Sequence, residues 1–446
     1  QSFKVGPVYI DPMFHRHVTG RACRNLDPVL TSESYVKECF FHHSNLCEYS
    51  LIEGVMGLFD GVAGNSQIIS PIQQLAIEET LPVVKREVNN FASTAHIAKL
   101  LNLPVLLVVD CSRLSGSVAA IVHGYRSFDK DIQIAGVILN RVGSDRHLSL
   151  LKNSLEPLQI PIYGVLRRQD NIAISDRHLG LVPTAELPEL NQLIDRLVNL
   201  GENCFNWEGL LPLLSRGKVD KVQISSCSSS LPIKIAVAYD KAFNFYYQDN
   251  FDLLQNLGTE LIFWSPLEDA ELPKDIGGMY FGGGFPEVFA QELAENSSAR
   301  DSVKAAIFLG MPTIAECGGL MYLCEQIVNM ADKSWEMVGV LPTTAVMDKR
   351  LTLGYRRAIA LQDSLLVDAG TTIYGHEFHR SRLISNSDKP LFQTYRFDCD
   401  EFTGKEGWNS PPNLHASYIH MHWGNCRKIP QRFLEKCRVF NRVFCS

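Results

Sequence analysis

The stretch MPTIAECGGLMYLCEQIV, residues 311–328, decides the fold of the second half of this 446-residue chain. Pro312 to Ala315 is a short apolar run that predicts a buried strand, and from Leu320 to Val328 the apolar residues recur at helical spacing. Between strand and helix lies Glu316-Cys317-Gly318-Gly319. A strand that turns at once into a helix is typical of an α/β domain.

The turn itself suits a cysteine nucleophile. Glycines after Cys317 leave room for an approaching carbonyl, and the amide of Gly318 could donate to a developing oxyanion. We also expect the amino terminus of the helix to lower the pKa of the thiol. The alternative is a buried structural cysteine in a tight turn that carries no chemistry, since cysteine is common in protein cores.

Two further segments favour chemistry. GGMYFGGGFPE, residues 277–287, places three glycines, 282–284, after a predicted strand, where exposed amides can face an anion. HASYIHMHWG, residues 415–424, supplies His420 as a candidate base, with His422 predicted on the same side of an extended strand. A lone histidine is more often structural. A cysteine, a glycine nest and a histidine in one α/β domain together satisfy the requirements of thiol acyl transfer.

Outward from this domain, the same α/β pattern occurs twice. Continuous apolar runs predict buried parallel strands in the first half, and a second series follows a polar, serine-rich stretch that predicts a linker. The second series also contains a predicted helix from Asn250 to Leu257, ended by Gly258. The predicted strands are Leu51-Ile52, Pro104 to Val109, Ile134 to Leu139, Ile162 to Leu166, Ile233 to Tyr239 and Leu261 to Trp264.

Composition excludes several classes of protein. Hydrophobic residues are 46% and charged residues 20%, which indicates folded globular domains. A net charge of -7 without a basic block predicts no nucleic-acid partner, and the lack of a long apolar run predicts no membrane span. Twelve cysteines without a regular framework indicate reduced thiols and a cytoplasmic location.

The amino-terminal half contains a second candidate site. KVGPVYIDPMFHRHVTGRACRNLDP, residues 4–28, is dense in groups that bind anions and metals, although a solvated loop has the same composition. LIEGVMGLFDG, residues 51–61, places Glu53 at the end of a strand and Asp60 in a glycine-flanked turn. Carboxylates at the carboxyl ends of parallel strands commonly hold Mg²⁺ beside nucleotide phosphates.

These motifs carry a family resemblance. The second half resembles a class I glutamine amidotransferase domain of the cobyric-acid-synthase type, in which the glycine nest, the AECGG turn and the YxH segment occur in this order. The resemblance implies Cys317 as nucleophile, His420 as base, and the amides of Gly284 and Gly318 as oxyanion donors. More familiar glutaminases carry a glutamate where this chain has His422, so His422 is expected among the catalytic residues while the third member of the triad stays open.

Nearly the whole chain is similar to the cobyrinate a,c-diamide synthase family. That family carries KxGPDYIDPxFH and EGVMGLxDG segments, a GVILNRV strand, here residues 136–142, and YGVLRR, here residues 163–168. The resemblance implies two α/β domains: a P-loop-NTPase-like, dethiobiotin-synthetase-like domain at 1–213, and the glutaminase at 232–446 after a linker at 214–231. It also implies that ATP and Mg²⁺ phosphorylate a substrate carboxylate, from which ammonia displaces phosphate.

The resemblance also implies roles for individual residues, each named by its place in this sequence. Two segments, GYRR at Gly354 to Arg357 and GHEFHRS at Gly375 to Ser381, are expected to face the substrate between the domains. The remaining expected roles are metal and substrate binding by Glu53, Asp60 and Asp11, corrin contact by Tyr9 and Ile10, adenine contact by Asn140, and further substrate contact by Lys4, Arg21 and Arg24.

The chain departs from the family pattern in three places. It contains no GxxxxGK[ST] phosphate loop, which we expect to precede Gln1, and without that loop we expect poor ATP binding. Val8 stands where the family usually has an aspartate, and valine cannot coordinate Mg²⁺. Residues Ser70 to Ser93 are unlike the family pattern and have no chemical interpretation.

The expected function is that of a ligase that amidates the c and then the a acetate side chain of cobyrinic acid, with glutamine and ATP as co-substrates. One alternative is the same chemistry on hydrogenobyrinic acid or nickel sirohydrochlorin. Another is a non-catalytic tetrapyrrole-binding descendant, suggested by the absent phosphate loop and by Val8. The expected partners are therefore a corrinoid, glutamine and ATP, and the oligomeric state stays open, a homodimer included.

Overall fold

A computed structural model of the chain describes residues 1–62, 90–168, 172, 174, 176–177, 180–215 and 232–444. These residues form two compact units, the first containing 1–26, 36–62 and residues between 90 and 215, and the second containing 27–35 and 232–444. Most of the predicted linker and of Ser70 to Ser93 lies outside the described residues, so the domain limits stay a prediction. No described helix is both long and apolar enough to cross a membrane.

The first unit alternates strands and helices. Two of its described sheets are parallel and three-stranded, with strand orders β2-β1-β3 and β4-β5-β6. The elements are β1 (Ser2–Val5), α1 (Ile10–Thr19), β2 (Arg24–Leu26), α2 (Glu33–Ser44), β3 (Leu51–Glu53), α3 (Thr94–Leu101), β4 (Val105–Asp110), α4 (Ser117–Phe128), β5 (Ile134–Val142), α5 (Asp145–Leu155), β6 (Ile162–Arg167), the short pair β7 (Asp176–Arg177) and β8 (Gly180–Leu181), α6 (Leu190–Cys204) and α7 (Trp207–Leu214).

Burial in the first unit differs from the prediction at strands β3 and β4. Leu51 of β3 is 52% exposed. Val137 and Leu139 of β5 are fully buried, as the continuous apolar run predicts. Val108 of β4 is 58% exposed, so the expectation that this strand is buried on both faces is wrong. In the described part of the chain, β4 pairs with β5 alone. An edge strand has a neighbouring strand on one side only, so its side chains are covered by fewer neighbours.

The second unit is built on a five-stranded parallel sheet with strand order β10-β9-β11-β12-β19. Its helices lie between the strands in sequence, as parallel connections require. The elements up to the cysteine turn are β9 (Ile233–Ala238), α8 (Gln248–Asn256), β10 (Thr259–Trp264), β11 (Gly278–Phe281), α9 (Ala290–Glu295), α10 (Ser297–Phe308), β12 (Thr313–Glu316) and α11 (Gly318–Leu323).

Beyond the turn the chain builds a second, mostly antiparallel sheet. Its strands are β13 (Cys324–Val328), β14 (Ser334–Glu336), β15 (Leu341–Ala360), β16 (Thr372–Leu383), β17 (Phe392–Arg396) and β18 (Phe402–Glu406), after which the chain returns to the parallel sheet with β19 (Leu414–Ser417) and ends in α12 (Lys428–Phe444). The predicted helix over 320–328 is therefore wrong beyond Leu323. Residues 324–328 pair with β14 and β15, and this strand pairing overrides a helical spacing that spans only two turns.

The apolar strands of the second unit explain its core. In β9, Ala236 and Ala238 join one buried cluster, and Ile235 and Val237 join another on the opposite face. Successive side chains of a strand point to opposite faces, so a run that is apolar throughout covers both sides of the sheet. The carboxyl ends of these strands are thus held rigidly, and the predicted site residues lie at or just beyond them.

Candidate active site

Cys317 is the residue at which β12 turns into α11. Its backbone has φ 48° and ψ -98°, an uncommon conformation for a residue with a side chain. Such a conformation costs on the order of 1–3 kcal/mol and persists when its surroundings hold it. Here the Cys317 amide donates to the carbonyl of Ser417 at 2.8 Å, and its carbonyl accepts from Met321 in the first turn of α11. The tight strand-to-helix turn predicted at Cys317 is therefore present.

The glycine nest packs directly against this turn. Gly284 has φ +152°, and a β-carbon built on it would lie 2.0 Å from the carbonyl oxygen of Ala242, so no side chain fits. A β-carbon built on Gly318 would lie 3.1 Å from the Gly284 nitrogen. The amide of Gly319 donates to the carbonyl of Gly282 at 2.9 Å. The structure therefore brings together the two glycines predicted as oxyanion donors.

His420 is fully buried beside the same nest. A β-carbon built on Gly283 would lie 2.4 Å from Cε1 of the imidazole and 3.2 Å from Nε2. The backbone of His420 exchanges two hydrogen bonds with His376 of β16. The predicted extended strand through His422 is wrong, because β19 ends at Ser417 and the backbone then pairs with β16.

Both predicted reacting groups, Cys317 and His420, are neutral in the resting protein. Burial raises the pKa of the Cys317 thiol, and the nearby carboxylates of Glu287 and Glu377 add to the rise, which outweighs the opposing hydrogen bond of the Gly318 amide. The expected lowering of the thiol pKa by the helix is therefore wrong for the resting state. Burial lowers the pKa of His420 to about 3, so its imidazole is unprotonated and able to accept a proton near neutral pH.

His422 has surroundings different from those of His420. Its Nε2 lies 3.6 Å from Oδ2 of Asp249, and its Nδ1 accepts a hydrogen bond from the amide of Gly424. Its ring packs edge-on against Tyr35 and tilted against Tyr247. These contacts hold His422 in place, and its predicted catalytic role stays a prediction.

A buried ion pair near Cys317 was not predicted from the sequence. Arg356 Nε lies 2.5 Å from Oε2 of Glu377, and His379 Nε2 lies 3.9 Å from the other oxygen. Their segments, GYRR and GHEFHRS, pair across the β15–β16 hairpin, with Gly354 opposite Glu377. The two motifs were visible in the sequence, but their pairing was not. Their expected contact with substrate stays a prediction.

In the first unit a second cluster forms around Lys4 of β1. The Lys4 ammonium lies 2.9 Å from Oδ2 of Asp11 and 3.0 Å from Oε1 of Glu53, and it also donates to the carbonyl of Gly54. The other oxygen of Glu53 lies 2.5 Å from Nε2 of His15. Hydrogen bonds with Cys23 and then Glu53 raise the pKa of His15 to about 9. Burial raises the pKa of Glu53, but hydrogen bonds from His15 and Lys4 outweigh burial and lower it.

The structure thus brings together three predicted residues, Lys4, Asp11 and Glu53. The carboxylate of Asp60 instead accepts a hydrogen bond from the amide of Gly57 in its own turn. The other predicted binding residues of this unit differ in exposure: Tyr9, Ile10 and Arg24 are buried, Arg21 is exposed, and Asn140, at the carboxyl half of β5, is partly exposed and accepts from the amide of Arg141.

The cluster has the donor chemistry for a hard cation, because carboxylate oxygens of Asp11 and Glu53 converge on one point. In this structure the ammonium of Lys4 occupies the position between the two carboxylates, and His15 pairs with Oε2 of Glu53. A divalent ion would therefore have to share these carboxylates with two cationic side chains.

Comparison with known proteins defines the class. A family model for the CobB/CobQ-like glutamine amidotransferase domain matches residues 234–428, and one for the CobQ/CobB/MinD/ParA nucleotide binding domain matches residues 5–181. The chain is thus a glutamine amidotransferase domain joined to a nucleotide-binding domain, which confirms the predicted fold class.

Relatives define the family. The chain is 54% identical to the cobyrinate a,c-diamide synthase of a Synechococcus strain over 98% of this chain and 91% of that protein. It is 47% identical to the enzyme of the same name from Synechocystis (99% and 88%) and 38% identical to the hydrogenobyrinate a,c-diamide synthase of Streptomyces coelicolor (98% and 90%). The chain belongs to the cobyrinate a,c-diamide synthase family.

Proposed function

We propose that this protein transfers ammonia from glutamine to the a and c acetate carboxylates of cobyrinic acid, with ATP as the activating co-substrate, in cobalamin biosynthesis. The observation that carries the proposal is the packing of Cys317, the glycine nest and His420 at one end of a parallel sheet. The names of the relatives support the corrinoid substrate and the two amidated positions.

The glutaminase half-reaction follows from the neutral pair. His420 takes the thiol proton while the Cys317 sulfur attacks the carboxamide carbon of glutamine, and the carbonyl electron pair moves to oxygen, which the amides of Gly284 and Gly318 stabilise. The imidazolium then gives its proton to the departing nitrogen as the carbon–nitrogen bond breaks. Ammonia leaves, and water hydrolyses the thioester to glutamate and the free thiol.

The synthetase half-reaction belongs to the first unit. ATP would phosphorylate a corrin acetate, and ammonia would displace phosphate from the acyl phosphate to give the amide. Glu53 and Asp11 would hold Mg²⁺, with Asp60 contributing, and the ion would neutralise charge on the phosphates. Lys4 would contact the anionic substrate group after releasing one of its three acceptors, because its ammonium already donates to Asp11, Glu53 and the carbonyl of Gly54. The matched nucleotide binding domain supports the use of ATP.

One rival substrate has specific support. The relative from Streptomyces coelicolor is named for hydrogenobyrinate and is 38% identical to this chain. Competition between cobyrinic and hydrogenobyrinic acid in one amidation assay distinguishes the two substrates.

We further place the protein in the cytoplasm, without nucleic-acid or membrane partners. The cysteines that the structure describes are all free thiols, as a reducing compartment favours.

The assignment of glutamine hydrolysis to Cys317, and of amidation to the first unit, is testable. Cys317→Ala should abolish glutamine-driven amidation and leave ammonia-driven amidation within about twofold, a difference of ~0.4 kcal/mol. Cys324→Ala is the matched control, because Cys324 is another buried cysteine of the same segment, seven residues on, and should retain both reactions. Equal loss of both reactions in Cys317→Ala would contradict the proposal.

A further inference from the structure

The glutaminase site contains a carboxylate that neither the motif match nor the mechanism above uses. Glu316 is the last residue of β12 and is 2% exposed. Its Oε2 accepts a hydrogen bond from the hydroxyl of Tyr280 at 3.1 Å, and its Oε1 accepts one from the amide of Met421 at 3.3 Å. Two donors from two neighbouring segments therefore fix the carboxyl group.

This fixed carboxyl group faces the catalytic imidazole. Oε2 of Glu316 lies 4.0 Å from Nδ1 of His420, so a shift of about an ångström would bring the two within hydrogen-bond distance. The residue at the usual position of the third triad member, His422, is engaged by Asp249 and Gly424 instead. Glu316 is thus a carboxyl group placed to act on His420 from the residue before the nucleophile.

We infer that Glu316 is the positioning residue of the glutaminase site: it orients His420 through Nδ1 and stabilises the imidazolium that forms when Nε2 takes the proton of Cys317. The inference rests on the proposed function and deepens it. A carboxylate on Nδ1 selects the tautomer whose Nε2 is free to act as base, the same logic by which a carboxylate orients the base in other triads.

This role requires Glu316 in its ionised form, which becomes abundant only as the pH approaches the raised pKa of about 8. Burial raises the pKa of Glu316 to about 8, against hydrogen bonds from Tyr280 and Met421 that lower it. The titratable groups that face Glu316 include Tyr280, Tyr246, Cys317 and His420, and those that face His420 include His376 and His379. The histidines facing His420 supply no negative charge, whereas the carboxyl group of Glu316, 4.0 Å from Nδ1, is placed to compensate an imidazolium.

The experiment compares Glu316→Gln with Glu316→Asp and with a matched control, Glu406→Gln. Glu406 is also a buried glutamate with a pKa raised to about 8 by burial, and it accepts from the Ser417 hydroxyl and the Tyr418 amide. Glu316→Gln should lower kcat for glutamine hydrolysis by roughly a hundredfold with KM within about twofold, as expected when general-base catalysis is impaired. Glu316→Asp should recover part of the loss, and Glu406→Gln should stay within about threefold of the parent, ~0.7 kcal/mol.

The pH profile separates positioning from a structural role. The parent rate should rise with pH toward about 8 as Glu316 ionises, and this limb should be absent in Glu316→Gln but present in Glu406→Gln. Tyr280→Phe keeps the carboxyl group but removes one hydrogen bond, and so serves if Glu316→Gln does not fold. It should shift the same limb and lower kcat by less. A Glu316→Gln enzyme with parental kcat and pH profile would overturn the inference.

The rate at which iodoacetamide alkylates Cys317, read by peptide mass spectrometry, keeps the inference separate from the proposed function. If the parent protein hydrolyses no glutamine, the proposed function fails. Slower alkylation in Glu316→Gln than in Glu406→Gln would still support Glu316, and equal rates would contradict it.

Discussion

At the scale of single residues, glycine positions without room for a side chain constrain the site as much as the reactive side chains do. Gly283 has ordinary backbone geometry, yet a β-carbon there would lie 2.4 Å from the ring of His420. Gly283→Ala should therefore displace the imidazole, lower kcat for glutamine hydrolysis by roughly a hundredfold, and cost about 1–3 kcal/mol of stability from overpacking.

The control for this prediction is Gly124→Ala, because Gly124 lies in α4 and a β-carbon built on it would meet nothing within 4 Å. Alanine in that helix should leave glutamine hydrolysis unchanged and add up to about 1 kcal/mol of stability. Steady-state hydrolysis and urea unfolding measure both effects. A Gly283→Ala enzyme that hydrolyses glutamine at the parental rate would show that His420 is not constrained by the nest.

At the scale of elements, β1, β3 and α1 bring Lys4, Glu53 and Asp11 together although the three are distant in sequence. Glu53→Gln keeps the size of the side chain and removes its charge. In any form of the protein that amidates, this change should lower amidation by roughly a hundredfold or more, ~2.7 kcal/mol, with either nitrogen source, because a metal-site charge is lost. Glutamine hydrolysis should change little.

Two measurements check this effect. Amidation rates with glutamine and with ammonia should fall together in Glu53→Gln, while Asp131→Asn, which removes an exposed carboxylate paired with Lys99, should leave both unchanged. The pKa of His15 should fall in Glu53→Gln, since Glu53 helps to raise it. Amidation within about twofold of the parent would mean that Glu53 is structural, a difference of only ~0.4 kcal/mol.

The same scale shows how far the sequence predicts the structure. Buried strands such as β5 and β9 were predicted closely, because continuous apolar runs of this length have few other uses. The segment 324–328 was not, because strand pairing decided its state. Cys317 and His420 were predicted from their motifs, whereas the position of Glu316 beside His420 depends on β12 and β19 lying side by side. Sequence position alone does not reveal such pairings.

At the scale of the whole molecule, buried histidines and buried glutamates have opposite effects on how the free energy of unfolding changes with pH. His376, His415 and His420 have pKa values lowered to about 4, 3 and 3 by burial, so the unfolded chain binds more protons below pH 6.5, and stability is lost as pH falls. Glu316 and Glu406 have pKa values raised to about 8, so the native protein holds protons that the unfolded chain releases above pH 4.5, and stability is lost as pH rises.

These two trends predict an optimum for the second unit near pH 6.5. Among these five groups, the three histidines outweigh the two glutamates between pH 4.5 and 6.5. Above pH 6.5 the glutamates alone of the five titrate, which gives a fall on the order of 1 kcal/mol per pH unit for each. Four of the five tryptophans lie in this unit, so tryptophan fluorescence in a Trp207→Phe background reports its unfolding. Urea unfolding should give the largest free energy near pH 6.5 and a smaller one at pH 8.5, and Glu406→Gln should flatten the alkaline limb. A free energy that rises steadily to pH 8.5 would mean that Glu316 and Glu406 are ionised in the native protein, and that the carboxylate facing His420 is already charged at rest.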